Sequence, residues 1–82
     1  MSKTAERNFS LQRLKFERLS RNISQREMAD SLGISVNAYY KKESGRLNIT
    51  VEELSVLLRT LGIPEEDAGI FFNFVVPKRE HK

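Results

Sequence analysis

Glu65, Glu66 and Asp67 form the one run of three contiguous carboxylates in the chain. Such a cluster can suggest a metal ion. Directly after Pro64, however, it reads as the acidic first turn of a helix, where the positive end of the helix dipole stabilises anions. The single histidine, His81, stands one residue from the end, and no candidate nucleophile has a base nearby. There is no cysteine, which excludes disulfides, a thiolate nucleophile and a cysteine-based zinc site. The four glycines are isolated, so no glycine-rich loop cradles a phosphate. The expectation is a protein that is not an enzyme, with no catalytic residue, no metal and no cofactor.

Charge is more informative. Residues 1–46 carry ten Lys or Arg against five Asp or Glu, a net of +5, whereas residues 47–82 net −2 within a total of +3. A basic first half suits a polyanionic partner such as nucleic acid, and taken alone it suits plain solubility as well.

Whatever residues do the work must be positioned by helices. The 82-residue length allows one domain, and Leu, Glu, Arg and Lys, which dominate, favour helix. No apolar run reaches the ~18 residues of a membrane span. Met1 to Asn8 has no apolar stretch and reads as no signal peptide, so a cytoplasmic location is expected. The first periodic segment runs from about Phe9 to Arg21, with Leu11, Leu14 and Leu19 near one face, and Asn22-Ile23 ends it. Ser24 and Glu27 have the spacing of a capping box. They open a second helix, Gln25 to Leu32, with Met28, Ala29 and Leu32 inward and Gly33 as the terminating residue. Ser35 caps a third helix, from Val36 to Glu43 or Ser44, with Tyr39 inward and Gly45 as its stop. Thr50 and Glu53 repeat the box ahead of a fourth helix that carries Leu54, Leu57, Leu58 and Leu61 and ends at Gly62. Pro64 suits the first position of a fifth. The reading is all-α, with a flexible arm over 1–8, a helical domain over 9–74 and a tail over 75–82.

Two short helices joined by a tight glycine turn make a helix-turn-helix unit, here over 24–44. The stretch Ser-Gln-Arg-Glu-Met-Ala-Asp-Ser-Leu-Gly-Ile-Ser from Ser24 to Ser35 resembles the lambda repressor/Cro class of helix-turn-helix domains, the XRE family. Lys42-Glu43-Ser44-Gly45-Arg46 and Leu54…Leu61-Gly62-Ile63 extend the resemblance, which covers about Leu11 to Ile63. It implies a five-helix lambda-repressor-like domain that binds double-stranded DNA, with its third helix in the major groove. Carried over position by position, the base-contacting residues are Val36, Asn37, Tyr40 and Lys41. Asn37 can pair with adenine in bidentate fashion, Lys41 can reach guanine, and Val36 can pack on a thymine methyl. The family usually has a polar side chain where Val36 stands. The implied phosphate contacts are Ser24, Gln25, Ser35, Ser44 and Arg46, with Arg21 and Lys42 behind them; such contacts position without reading sequence. Arg18 and Glu43 match an orienting ion pair between the first helix and the third, expected to be partly exposed.

The aromatic run after the fourth helix needs another account. Phe71 and Phe72 project ~100° apart on a helix, so they cannot both enter one small core. Ile70, Phe71, Phe72, Phe74, Val75 and Val76 therefore read as a homodimer interface, and capping of the chain's own core is the alternative. The resulting expectation is a homodimeric transcriptional repressor that binds an inverted repeat, resembling the compact regulators of phages and other mobile elements, with an antagonist protein as a further possible partner. The competing reading is a protein-interaction module, an antitoxin or accessory factor, that works through the aromatic surface.

Overall fold

The computed structural model describes residues 7–74. Strand β1 (Arg7–Phe9) leads into helices α1 (Leu11–Ser20), α2 (Gln25–Leu32), α3 (Val36–Glu43) and α4 (Val51–Leu61). A 3-10 helix (Glu65–Phe71) and strand β2 (Phe72–Phe74) follow. Five helical segments, four α and one 3-10, make up the body of the fold. The two short strands add an antiparallel clip, with Arg7 opposite Phe74, Asn8 opposite Asn73 and Phe9 opposite Phe72. Residues 1–6 of the expected arm and the whole 75–82 tail lie outside the described residues.

Local chemistry explains the boundaries. Each helix N-terminus leaves amide protons without an intrahelical partner, and a hydroxyl takes one of them at all four α-helices. Ser10 accepts from Arg13, Ser24 from Glu27, Ser35 from Ala38 and Thr50 from Glu53. The Glu27 and Glu53 carboxylates complete both capping boxes, accepting from the Ser24 and Thr50 amides at 2.8 and 3.0 Å. Gly33 and Gly62 close α2 and α4 at φ 70° and 77°, a left-handed conformation that a Cβ disfavours. Asn22 does the same for α1 at φ 58°, as asparagine can.

The core gathers Leu14, Met28, Ala29, Tyr39, Leu57, Leu58, Leu61, Ile63 and Phe71. Burying each large member contributes roughly 1.5–3 kcal/mol. On α1 the apolar stripe is shorter than its leucines imply. Leu14 is buried and Leu11 half-buried, but Leu19 and Phe16 are exposed, and Glu17 and Arg18 take the inward positions.

The end of the domain differs from a fifth α-helix. Pro64 offers no side-chain cap to the segment that follows, and Gly69 in its interior disfavours a regular helix. The chain winds instead as a 3-10 helix and goes extended at Phe72. Phe71 is fully buried in the chain's own core. Its ring stacks on Phe9 at 5.7 Å, and Phe9 meets Phe72 edge-on at 5.5 Å. The Ser10 amide donates to the Phe71 carbonyl, so the start and end of the domain are pinned together.

Candidate nucleic-acid interface

The turn between α2 and α3 comprises only Gly33, Ile34 and Ser35. The Gly33 and Ile34 amides donate back to the Asp30 and Ala29 carbonyls at 3.1 Å each. Ala29 is fully buried, and Ile34 packs against the core. These contacts fix the direction in which α3 leaves.

Helical spacing then sorts the side chains of α3. Tyr39 and Glu43, four apart, are buried, and Val36, one turn before Tyr39, is half-buried against the core. Asn37, Tyr40 and Ser44 are exposed along the opposite side. Lys41 is half-buried, because its carbonyl accepts from the Arg46 and Leu47 amides and the chain folds back beside it. Of the four residues expected at base edges, Asn37 and Tyr40 are thus fully presented, and Lys41 and Val36 partly.

Behind this face lies a buried polar junction centred on Glu43. Arg18 of α1 grips the carboxylate with both prongs of its guanidinium, Nε to Oε2 at 2.8 Å and the second nitrogen to Oε1 at 3.1 Å. Gln25 of α2 donates to Oε1 at 3.0 Å, and the Tyr39 hydroxyl donates to Oε2 at 2.9 Å. A third guanidinium nitrogen of Arg18 donates to the Ile23 carbonyl at 2.8 Å. Three helices therefore meet at one carboxylate, and Arg18 ties the first interhelical loop to the same junction. The pair is not partly exposed as expected: the Arg18 and Glu43 side chains are 6% and 4% accessible.

The charge states follow from those contacts. Burial pushes the Glu43 carboxyl up, but the hydrogen bonds from Arg18, Gln25 and Tyr39 outweigh it and hold it below the ordinary carboxylate value. The bond to Glu43 raises Arg18 further. Burial, and then the adjoining carboxylate, keep the Tyr39 phenol protonated. A buried ion pair is weak evidence for net stability, because desolvation offsets its attraction. Its bidentate geometry does restrict how α3 sits relative to α1 and α2.

The residues expected on phosphates divide. Ser24, Ser35, Ser44 and Arg46 are exposed. The Ser24 and Ser35 hydroxyls cap their own helices, and the Ser44 hydroxyl donates to the Lys41 carbonyl. Gln25 is half-buried and its side-chain amide is committed to Glu43. Arg21 spans to Glu17, reaching its carbonyl at 3.0 Å and its carboxylate at 2.5 Å. Lys42 is the correction. Only 12% accessible, it turns inward to the Asn48 carbonyl at 2.8 Å and the Glu53 carboxylate at 3.1 Å, tying α3 to the loop and to α4. A lysine one position from the exposed face has a stem long enough to turn either way, and here two oxygens lie on the protein side.

The aromatic assignments change too. Phe71 is removed from any intermolecular surface by its burial, Phe72 is half-buried and Ile70 is 39% exposed. Phe74 pairs in β2, while Val75 and Val76 lie outside the described residues. The partners that Gln25 and Tyr39 supply to Glu43 were missed by sequence reasoning. The i, i+4 spacing of Tyr39 and Glu43 is the signal that places them on one face.

Among the described residues, no group of three or more His, Cys, Asp or Glu can hold a metal ion. Glu65 of the acidic run accepts instead from the Ser55 hydroxyl. No helix described is long and apolar enough to cross a membrane.

A short capped helix with an exposed polar face, set by a glycine turn on a steadying helix, defines a helix-turn-helix DNA-binding module. Residues 14–67 match the helix-turn-helix family. The chain belongs to that family, in its lambda repressor/Cro-like (XRE) form, and is a DNA-binding regulator. No curated protein and no solved structure gives a match to it.

Proposed function

We propose that this protein is a homodimeric transcriptional repressor that reads an inverted-repeat operator through the outer face of α3. The observation that carries the reading is the two-sidedness of that helix. Asn37 and Tyr40 are exposed, while Tyr39 and Glu43 on its inner side are locked into a buried junction with α1 and α2. A rigid helix with free donors and acceptors suits base edges in the major groove. Asn37 takes adenine and Lys41 guanine. Ser24, Ser35, Ser44, Arg46, Arg21 and the amide end of α2 at Gln25 hold the flanking phosphates.

A second copy would be held through Ile70 and Phe72, the exposed and half-exposed members of the aromatic run. Paired half-sites then lie about one helical turn apart, ~34 Å. The basic first half of the chain supports the approach to a polyanion. The test is fluorescence anisotropy with a duplex selected from a random pool by the full chain. Asn37→Ala combined with Lys41→Ala should abolish specific binding while the circular dichroism spectrum is unchanged. Tight specific binding by the double variant would overturn the reading surface, and a monomer on specific DNA would overturn the dimer.

A further inference from the structure

We propose that the outward face of α1 is a docking site for an acidic, amphipathic helical segment of another protein. In a surface helix of a lone domain the apolar residues turn inward and the charges outward. Between residues 16 and 19, α1 reverses this order. Glu17 and Arg18 are buried, while Phe16 is 61% and Leu19 53% exposed. The inward charges are matched within the chain. Arg18 grips Glu43, and the Glu17 carboxylate bridges Arg13 and Arg21. The outward apolar pair has no such match, since neither Phe16 nor Leu19 joins the core. Three residues apart, the two lie side by side on one face of the helix. They form a contiguous apolar surface of the kind that marks a contact site.

Charge determines what fits there. At ~100° per residue, Arg13 and Lys15 flank the apolar pair at roughly 70–90° on either side, and both are exposed. Glu17 is the one carboxylate of α1 and is buried between two arginines, so the exposed charges of this helix are all basic. An apolar stripe with basic borders is complementary to a helix that carries aliphatic side chains at i, i+3 or i+4 spacing between Asp and Glu. The α1 of a second copy brings like charge to like and does not fit. Arg18, which joins α1 to α3, projects about 130° around the helix from the pair. The stripe therefore faces away from the α1–α3 contact, which leaves α3 free while a partner is docked.

The test selects displayed helical peptides of ~16 residues, a little over four turns, from a random library with the full chain, and measures the winners by fluorescence anisotropy. The expected winners have net negative charge and aliphatic residues at helical spacing. Phe16→Ala combined with Leu19→Ala, at exposed positions where alanine favours helix, should leave the circular dichroism spectrum unchanged and weaken peptide binding about tenfold or more. Lys15→Glu should weaken it about two- to fivefold, the range of an exposed ion pair. The affinity of the double variant for the selected DNA duplex should equal that of the wild type. Neutral or basic winners, winners that the double variant binds equally well, or no winner above background would overturn the docking site. A double variant that is folded but has lost the duplex would assign the face to DNA instead. Self-association of the full chain that the double variant abolishes would assign it to a second copy. Adsorption to phosphatidylglycerol vesicles that the double variant abolishes, with no acidic peptide selected, would assign it to a lipid surface.

Discussion

Replacing Arg18 by methionine would leave the Glu43 carboxylate buried without its counter-charge. It would keep only the Gln25 and Tyr39 donors, and with its side chain 4% accessible it has little water to turn to. Breaking a buried pair in this way costs about 3–5 kcal/mol. For a domain of this size 1 kcal/mol moves the midpoint of thermal unfolding by roughly 4–8 °C, so Arg18→Met should lower it by roughly 12–40 °C. Glu43→Leu should cost a similar amount, because it strands the guanidinium and also leaves the Tyr39 hydroxyl without its acceptor. The double variant removes both charges. Replacement of a whole buried pair by apolar groups is often neutral or better, less about 1–3 kcal/mol for the orphaned Tyr39 hydroxyl. Adding Tyr39→Phe should recover that remainder. Circular dichroism melts and urea titrations of the four variants close the cycle. Single variants that cost under about 1 kcal/mol, the range of exposed pairs, would refute the buried junction. So would a double variant no more stable than the sum of its parts. A refolded double variant should still bind DNA less specifically, since the bidentate tie that sets α3 against α1 is then gone.

Other outcomes follow from the same geometry. Glu17, Glu43 and Glu53 all lie below the ordinary value of 4.5. For Glu17 the hydrogen bonds from Arg21 and Arg13 are responsible, and for Glu53 the Thr50 amide first and then Lys42. Their stabilisation is complete above the ordinary value and is lost as pH falls through the lowered ones. The thermal midpoint should therefore hold steady down to about pH 5 and fall below it; a midpoint unchanged to pH 3 (roughly two units lower) would contradict the assignment. Gly33→Ala should cost about 1–2 kcal/mol through backbone strain alone, because a Cβ there meets nothing within 4 Å, and Gly33→Asn should cost less in the same melts. Phe71→Ala should destabilise the fold by about 3–5 kcal/mol, a loss visible by urea titration at every protein concentration rather than only as dissociation of a dimer.

Much of this molecule could be read from residue order, and the reasons are local. Capping boxes, left-handed glycines and leucine spacing act within a few residues, so the bounds of α2, α3 and α4 followed from them. The Ser10 cap of α1 is masked in the sequence by the apolar run that begins at Phe9, one residue before it. Leu19 was misplaced because the inward stripe of α1 passes through Arg18, whose charge is acceptable inside only with a carboxylate 25 positions away. Pairing of β1 with β2 joins the two ends of the domain, which no short-range pattern encodes. The position of Phe71 depends on the same closure. The orientation of Lys42 was undecidable for a similar reason. Its stem reaches either way, and Asn48 and Glu53 settle it only once α4 has packed.

The central claim, that α3 presents its outer face to DNA while its inner face is locked to α1 and α2, is tested most directly by nuclear magnetic resonance. The selected duplex is titrated into isotope-labelled protein, and the Asn37 side-chain amide and the backbone amides of residues 35–44 are followed. The account predicts large shifts at these signals, at the start of α2 and at Arg21 and Arg46, with the Arg18 guanidinium signal of the junction unmoved. Shifts concentrated on α4 or around Ile70 instead, with Asn37 silent, would contradict it.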